Sequence, residues 1–151
     1  MLVLDTSALL IWTLRENELP PKAKQAIDAS GHLFISSISI WEIALKYVRG
    51  RLMLPYDAFT YARRLELLPN LEIIPVNVET WLTNVRLDWD NRDPADRTIV
   101  ALAMELKCPL VSSDRSMAAF YPVSYTHLRA HETVLDLVCR LLLEKKQYNI
   151  Q

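Results

Sequence analysis

Glycine is almost missing from this chain, with two in 151 residues. That scarcity argues against a turn-rich all-β fold, whose tight hairpins need residues free to adopt positive φ. Cysteine is equally sparse. Cys108 and Cys139 stand in no paired pattern, which leaves no disulfide scaffold and fits a reducing cytoplasm. Neither charge sign dominates: the formal net charge is −1, so no global positive field draws nucleic acid, and any such contact must come from a local basic patch. The apolar N-terminal stretch MLVLDTSALLIWTL is broken by Asp5 and has no basic leader. Neither a signal peptide nor a membrane span is expected there.

What the chain does have is apolar residues in short, punctuated runs. It is 51% hydrophobic and 23% charged, which suits one α/β domain with a genuine core. LVLD, HLFISS, LEIIPV and CPLVSS read as four short buried strands, apolar enough for a parallel sheet. Between them lie TSALLIWTL, with Thr6 or Ser7 able to cap it, ELPPKAKQAIDASG, ISIWEIALKYVRG, AFTYARRLELLPN, VETWLTNVRLDW and PADRTIVALAMELK. These read as helices, with Pro21 and Pro94 near first positions and Gly31 past an end. RSMAAFYP closes the series as a short helix or turn. The alternation predicts a parallel sheet wrapped by helices through right-handed crossovers. In such open sheets the ligand sits beyond the carboxyl ends of the strands, where Asp5 and Asp114 fall.

Taken singly, the acids have plain explanations as well as functional ones. Asp5 ends an apolar strand and is as compatible with helix capping as with function. Glu42 lies among apolar neighbours in SIWEIALK; burying it is costly without a partner or metal, although an ion pair to Lys46 at i+4 is the plain alternative. Asp93 is best explained as the cap that starts its helix. Asp96 lies in the first turn of that helix, where the dipole favours an anion, and Asp114 after LVSS is either a cap or a functional group. Together they say more. Two carboxylates about 4 Å apart repel by roughly 4 kcal/mol at an effective dielectric of 20. Four converging acids therefore either protonate in part or surround a hard divalent cation. With oxygen ligands only, that cation is Mg²⁺ or Mn²⁺.

The last stretch stands apart. Codons for VSYTHLRAHET reproduce a string that resembles the transposase adapter of short-read sequencing libraries, and DLVCRLLLEK resembles the flow-cell end of the same oligonucleotide. Residues 123–151 are therefore expected to be a non-native tail. The i, i+4 spacing of His127 and His131 beside Glu132, which would otherwise suggest a metal site, is then accidental. The tail holds four basic and three acidic residues, which leaves −2 for residues 1–122. Outside the four acids that body has thirteen basic and eleven acidic residues, a mildly positive surround suited to a phosphate-bearing substrate.

In order and spacing, LVLDTSALL, ISSISIWEIALKYVRGRLMLP and RDPADRTIVALAMELKCPLVSSD resemble the PIN-domain ribonucleases of the VapC toxin type, over nearly all of residues 1–122. The resemblance implies a three-layer α/β/α PIN-like fold with a central parallel sheet of four to five strands. It carries the four catalytic and metal-holding acids onto Asp5, Glu42, Asp96 and Asp114, with Ser7 and Ser112 as supporting hydroxyls. Asn91 departs from the histidine that relatives often carry before RDP. The family's last strand falls just after Pro122, where the tail begins; VSYTHL alternates loosely and could pair in its place. The function implied by the resemblance is Mg²⁺-dependent hydrolysis of RNA in the cytoplasm, by the toxin of a toxin–antitoxin pair. The implied partners are RNA, a small antitoxin and a second copy of the chain, with no membrane. Arg92, Arg97 and Arg115, adjacent to the acids in sequence, are candidates for phosphate contacts or ordinary surface charge. The rival reading is a PIN-like binding or regulatory domain that keeps the acids without cutting. An aspartyl-nucleophile phosphatase would want an acid where Ser7 stands.

Overall fold

A computed structural model describes residues 1–19 and 21–121. The tail, its histidine pair and the expected substitute strand lie outside the described residues. Among the described residues four parallel strands form one sheet: β1 (Leu2–Leu4), β2 (Leu33–Ser36), β3 (Leu71–Ile74) and β4 (Leu110–Val111). The helices of these residues are α1 (Thr6–Leu14), α2 (Pro21–Ser30), α3 (Ser37–Val48), α4 (Ala58–Glu66), α5 (Val78–Arg86), α6 (Pro94–Leu106) and α7 (Arg115–Phe120), with a 3₁₀ turn at Glu16–Glu18. The two glycines are placed where few other residues fit. Gly31 and Gly50 adopt φ of 71° and 68° just past α2 and α3, the left-handed conformation that ends a helix without Cβ strain.

Strand side chains alternate between two helical layers, as a period of two requires. Leu4, Leu33, Ile35 and Val111 pack with Ala8 and Leu9 of α1, Ile27 of α2, Ile43 of α3 and Tyr61 of α4. Val3, Phe34 and Leu110 turn the other way, onto Ile99, Leu102 and Ala103 of α6 and Met117 of α7. Each fully buried aliphatic side chain contributes about 1.5–3 kcal/mol of transfer free energy. The result is the three-layer α/β/α arrangement that the alternation of elements predicts. No helix among the described residues is long and apolar enough to cross a membrane.

Strand order is β3-β2-β1-β4. The chain winds outward in one direction from β1 to β3, then returns to place β4 on the far side of β1. The order therefore reverses between β1 and β4, and a crevice opens beyond their carboxyl ends. β4 is shorter than CPLVSS suggests, because Ser112 and Ser113 leave the ladder although both are buried.

Candidate active site

The crevice collects acids from both chain ends of the sheet. A cavity of about 190 Å³ is lined by Asp5, Thr6, Ser7, Glu42, Lys46, Asp93, Asp96 and Asp114. All four acids singled out in the sequence reach it, although they come from the end of β1, the middle of α3, the first turn of α6 and the residue before α7.

Each aspartate is fixed by local backbone. Asp5, 4% exposed, is the N-cap of α1: its Oδ1 accepts the Ala8 N–H at 2.7 Å, while its other oxygen accepts the Ser112 hydroxyl. This corrects the expectation that Thr6 or Ser7 caps α1. The Thr6 hydroxyl instead donates to Ser39 at 3.0 Å, and Ser7 lies on the cavity wall. Ser112 also accepts the Asp114 N–H at 2.8 Å, so one hydroxyl ties the ends of β1 and β4 together. Asp114 caps α7 by accepting the Ser116 N–H at 2.8 Å. Asp93 caps α6, accepting from Ala95 and Asp96 at 2.8 and 3.1 Å, with Pro94 at the first helical turn. The cap reading of Asp93 holds, but it is incomplete, because the same side chain also lines the cavity.

Asp96 carries the electrostatic strain of the group. Burial pushes its pKa up to about 6, the Asn91 hydrogen bond opposes this, and the charges of Asp93, Asp114 and Glu42 add to it. The partial protonation expected of crowded acids therefore falls on Asp96. Asn91, not assigned a role from sequence, donates to Asp96 Oδ2 at 3.0 Å and accepts the Asp93 N–H at 2.8 Å. Glu42 is shielded, its side chain 15% exposed, and lies 3.8 Å from Lys46, which stands half exposed. Lys46 also lines the cavity, so Glu42 is at once ion-paired and part of the cavity wall.

The candidate phosphate contacts separate. Arg92 is exposed in the loop before α6. Arg97 is corrected: all five of its N–H groups are engaged by the α5–α6 connection. Nε donates to Asn84 Oδ1, and the terminal nitrogens donate to the carbonyls of Trp89, Asn91, Asn84 and Leu87 at 2.7–2.9 Å. A guanidinium saturated in this way positions the loop and has no donor left for phosphate. The side chain of Arg115 is outside the described part of the molecule.

The donor chemistry fits a hard divalent cation: only carboxylates and hydroxyls line the cavity beside one ammonium, and a cation there would offset both the burial of the Asp96 charge, the main cause of its raised pKa, and the smaller repulsion from Asp93, Asp114 and Glu42. Among the described residues no three His, Cys, Asp or Glu side chains stand close enough together to form a ready-made metal cluster.

Comparison with known proteins agrees with this architecture. The model of the PIN domain matches residues 2–121. Ribonuclease VapC22 of Mycobacterium tuberculosis (strain ATCC 25618 / H37Rv) is 28% identical over 116 residues, covering 76% of this chain and 88% of that protein. A parallel sheet with its strand order reversing at an acid-lined crevice, matched over nearly its whole described length, places this chain in the PIN domain family.

Proposed function

We propose that the chain is a metal-dependent endoribonuclease that hydrolyses RNA phosphodiester bonds in the cytoplasm, as the toxin of a toxin–antitoxin pair. The observation that carries this reading is the meeting of Asp5, Glu42, Asp96 and Asp114 around one cavity from four separate elements. Asp5, Glu42, Asp96 and Asp114 would hold one or two Mg²⁺ or Mn²⁺ ions. The chemistry so supplied is a lowered pKa for water and charge neutralisation at the scissile phosphate during in-line attack.

The protein's own groups do the positioning. Ser112 and the Ala8 N–H hold Asp5 from two sides, so that its carboxylate cannot rotate away from the crevice. Asn91 and the Asp93 cap fix the first turn of α6 and with it the direction of Asp96. Lys46, beside Glu42 at the cavity, and Arg92 in the exposed loop supply positive charge where a flanking phosphate would lie. A small antitoxin with a segment entering the acidic cavity, and a second copy of the chain, complete the proposed partners.

The test is cleavage of structured RNA by the full chain with Mg²⁺, against Asp5→Asn and Asp96→Asn. Loss of cleavage in both variants is expected, with chelation abolishing the wild-type reaction. Cleavage that survives either substitution refutes the assignment. A wild-type chain that binds RNA and takes up Mg²⁺ without cutting favours the binding-domain reading instead.

A further inference from the structure

The acidic cavity carries a positive charge of its own. Five carboxylates line it, those of Asp5, Glu42, Asp93, Asp96 and Asp114, and among the described residues on its wall Lys46 is the one cation. Lys46 Nζ lies 3.8 Å from Glu42 Oε1. The pair is built into α3. Glu42 and Lys46 stand at i and i+4, so they share one face of the helix, with the acid toward the N-terminus, the favourable order. Lys46 also falls in the last turn of α3, where the helix dipole favours a cation.

The two partners are unequal. The Glu42 side chain is 15% exposed and that of Lys46 50%. A shielded carboxylate is costly to leave without a counter-charge, so Glu42 depends on a cation more than Lys46 depends on an anion. Lys46 carries its ammonium on a flexible four-carbon stem with access to water. It can leave Glu42 by rotating its own side chain, without any movement of α3. The aspartates of the cavity are held differently. Asp5, Asp93 and Asp114 accept backbone N–H groups, and Asp96 accepts from the Asn91 amide. Those donors are neutral and oppose no incoming cation with a full charge. At Glu42 a divalent cation meets an ammonium already in place.

We propose that Lys46 is a built-in competitor of the divalent cation. Its ammonium neutralises Glu42 and must swing out before that carboxylate can serve as a ligand, so Lys46 weakens metal uptake and sets the concentration at which the cavity loads. This inference rests on the metal-dependent reading of the cavity and names the residue that regulates it. Removing one positive charge a few ångströms from a bound dication, with solvent screening, changes affinity on the order of tenfold.

The experiment is Mn²⁺ binding by the full chain, read from the electron paramagnetic resonance signal of free Mn²⁺, with far-UV circular dichroism to verify folding. Lys46→Met, and independently Lys46→Gln, should bind Mn²⁺ about tenfold more tightly than wild type. Lys46→Arg keeps the charge and should stay within about twofold of wild type. In a Glu42→Gln background the gain from Lys46→Met should shrink below about twofold, because no carboxylate is left to compete for. Uncharged variants that bind Mn²⁺ no better than wild type, or more weakly, overturn the proposal. So does a full tenfold gain in the Glu42→Gln background, since Lys46 would then act on the cavity through its field and not through Glu42. Wild type that takes up no Mn²⁺ overturns this proposal and the metal-dependent reading together, whereas normal uptake with unchanged affinity in Lys46→Met overturns this proposal alone.

Discussion

Replacing Asp96 by asparagine should make the folded protein more stable at neutral pH, although it removes a proposed functional group. Burial and the neighbouring carboxylates hold the Asp96 pKa at about 6 against an ordinary 3.8. At ~1.4 kcal/mol per pH unit, that gap corresponds to roughly 3 kcal/mol of destabilisation when the group is charged. Asp96 is only partly shielded, so solvent screening reduces the figure to ~1–2 kcal/mol. The sign comes from proton binding. Between about pH 4 and pH 6 the folded state holds the Asp96 proton more tightly than the unfolded chain, so this group's contribution to stability falls as pH rises through that window. Below pH 4 both states are protonated and the contribution is fully present. Asparagine carries no charge and can still accept the Asn91 hydrogen bond. Urea unfolding of wild type and Asp96→Asn at pH 4 and pH 8 therefore gives equal stabilities at the lower pH. At the higher pH the variant is ahead by ~1–2 kcal/mol, about 3–8 °C in melting temperature for a domain of this size. Millimolar Mg²⁺ at pH 8 should narrow the gap, because an ion bound to the folded state stabilises wild type by mass action. A variant that is neutral or destabilised at pH 8, or a difference identical at both pH values, would show that the acids are not crowded as described.

Other contacts give three more expected outcomes. Arg97→Ala strips five hydrogen bonds from the α5–α6 connection and should cost about 2–4 kcal/mol in chemical denaturation; Arg97→Lys should recover only part of this, and a neutral result would return Arg97 to the surface. Ser112→Ala removes the hydroxyl joining Asp5 to the end of β4, with an expected loss of ~1–3 kcal/mol and a raised Mg²⁺ requirement for cleavage. Tyr61 is buried, its hydroxyl 2.7 Å from that of Thr13, and burial pushes its pKa up to about 12. Spectrophotometric titration of the phenols should show a late-ionising group that disappears in Tyr61→Phe, at a stability cost of ~0.5–1.5 kcal/mol.

Three of the four acids are legible in the sequence from their local setting, whereas Asp96 sits where a helix dipole favours an anion and is set apart by the company of the others and by the family resemblance. Asp5 and Asp114 end apolar strands, and Glu42 is a carboxylate among Ile and Trp on a core-facing helix, so alternation of elements alone carries them toward one edge of the sheet. Convergence on the crevice is then a consequence of the parallel topology. The second task of Asp93 is hidden because a good cap fully explains an aspartate before proline, and nothing in the residue types says that the cap also faces a cavity. Arg97 misleads for a similar reason. A charged residue flanked by Asp96 and Thr98 reads as surface, and only the chain returning from α5 past Leu87 and Trp89 supplies the carbonyls that enclose it. Asn91 is marked in the sequence only as a departure from the histidine of relatives, which says nothing of its role, since its value lies in reaching both Asp93 and Asp96. The inward polar face of α5 is equally silent: VETWLTNVR has helical period, but periodicity does not say which side is solvent when Asn84 and Thr80 can satisfy themselves on α6.

Three of the cavity's acids, Asp5, Asp93 and Asp114, each give one oxygen to the helix just ahead of them, accepting backbone N–H groups two or three residues on. That reach suits a side chain with one methylene. Glutamate at any of the three would keep the formal charge yet overshoot the turn, freeing the helix start and letting the remaining oxygen swing. Aspartate and glutamate are thus not interchangeable at these positions, and a library varying them should retain aspartate at 5, 93 and 114 while accepting either acid more readily at Glu42, whose carboxylate caps no helix.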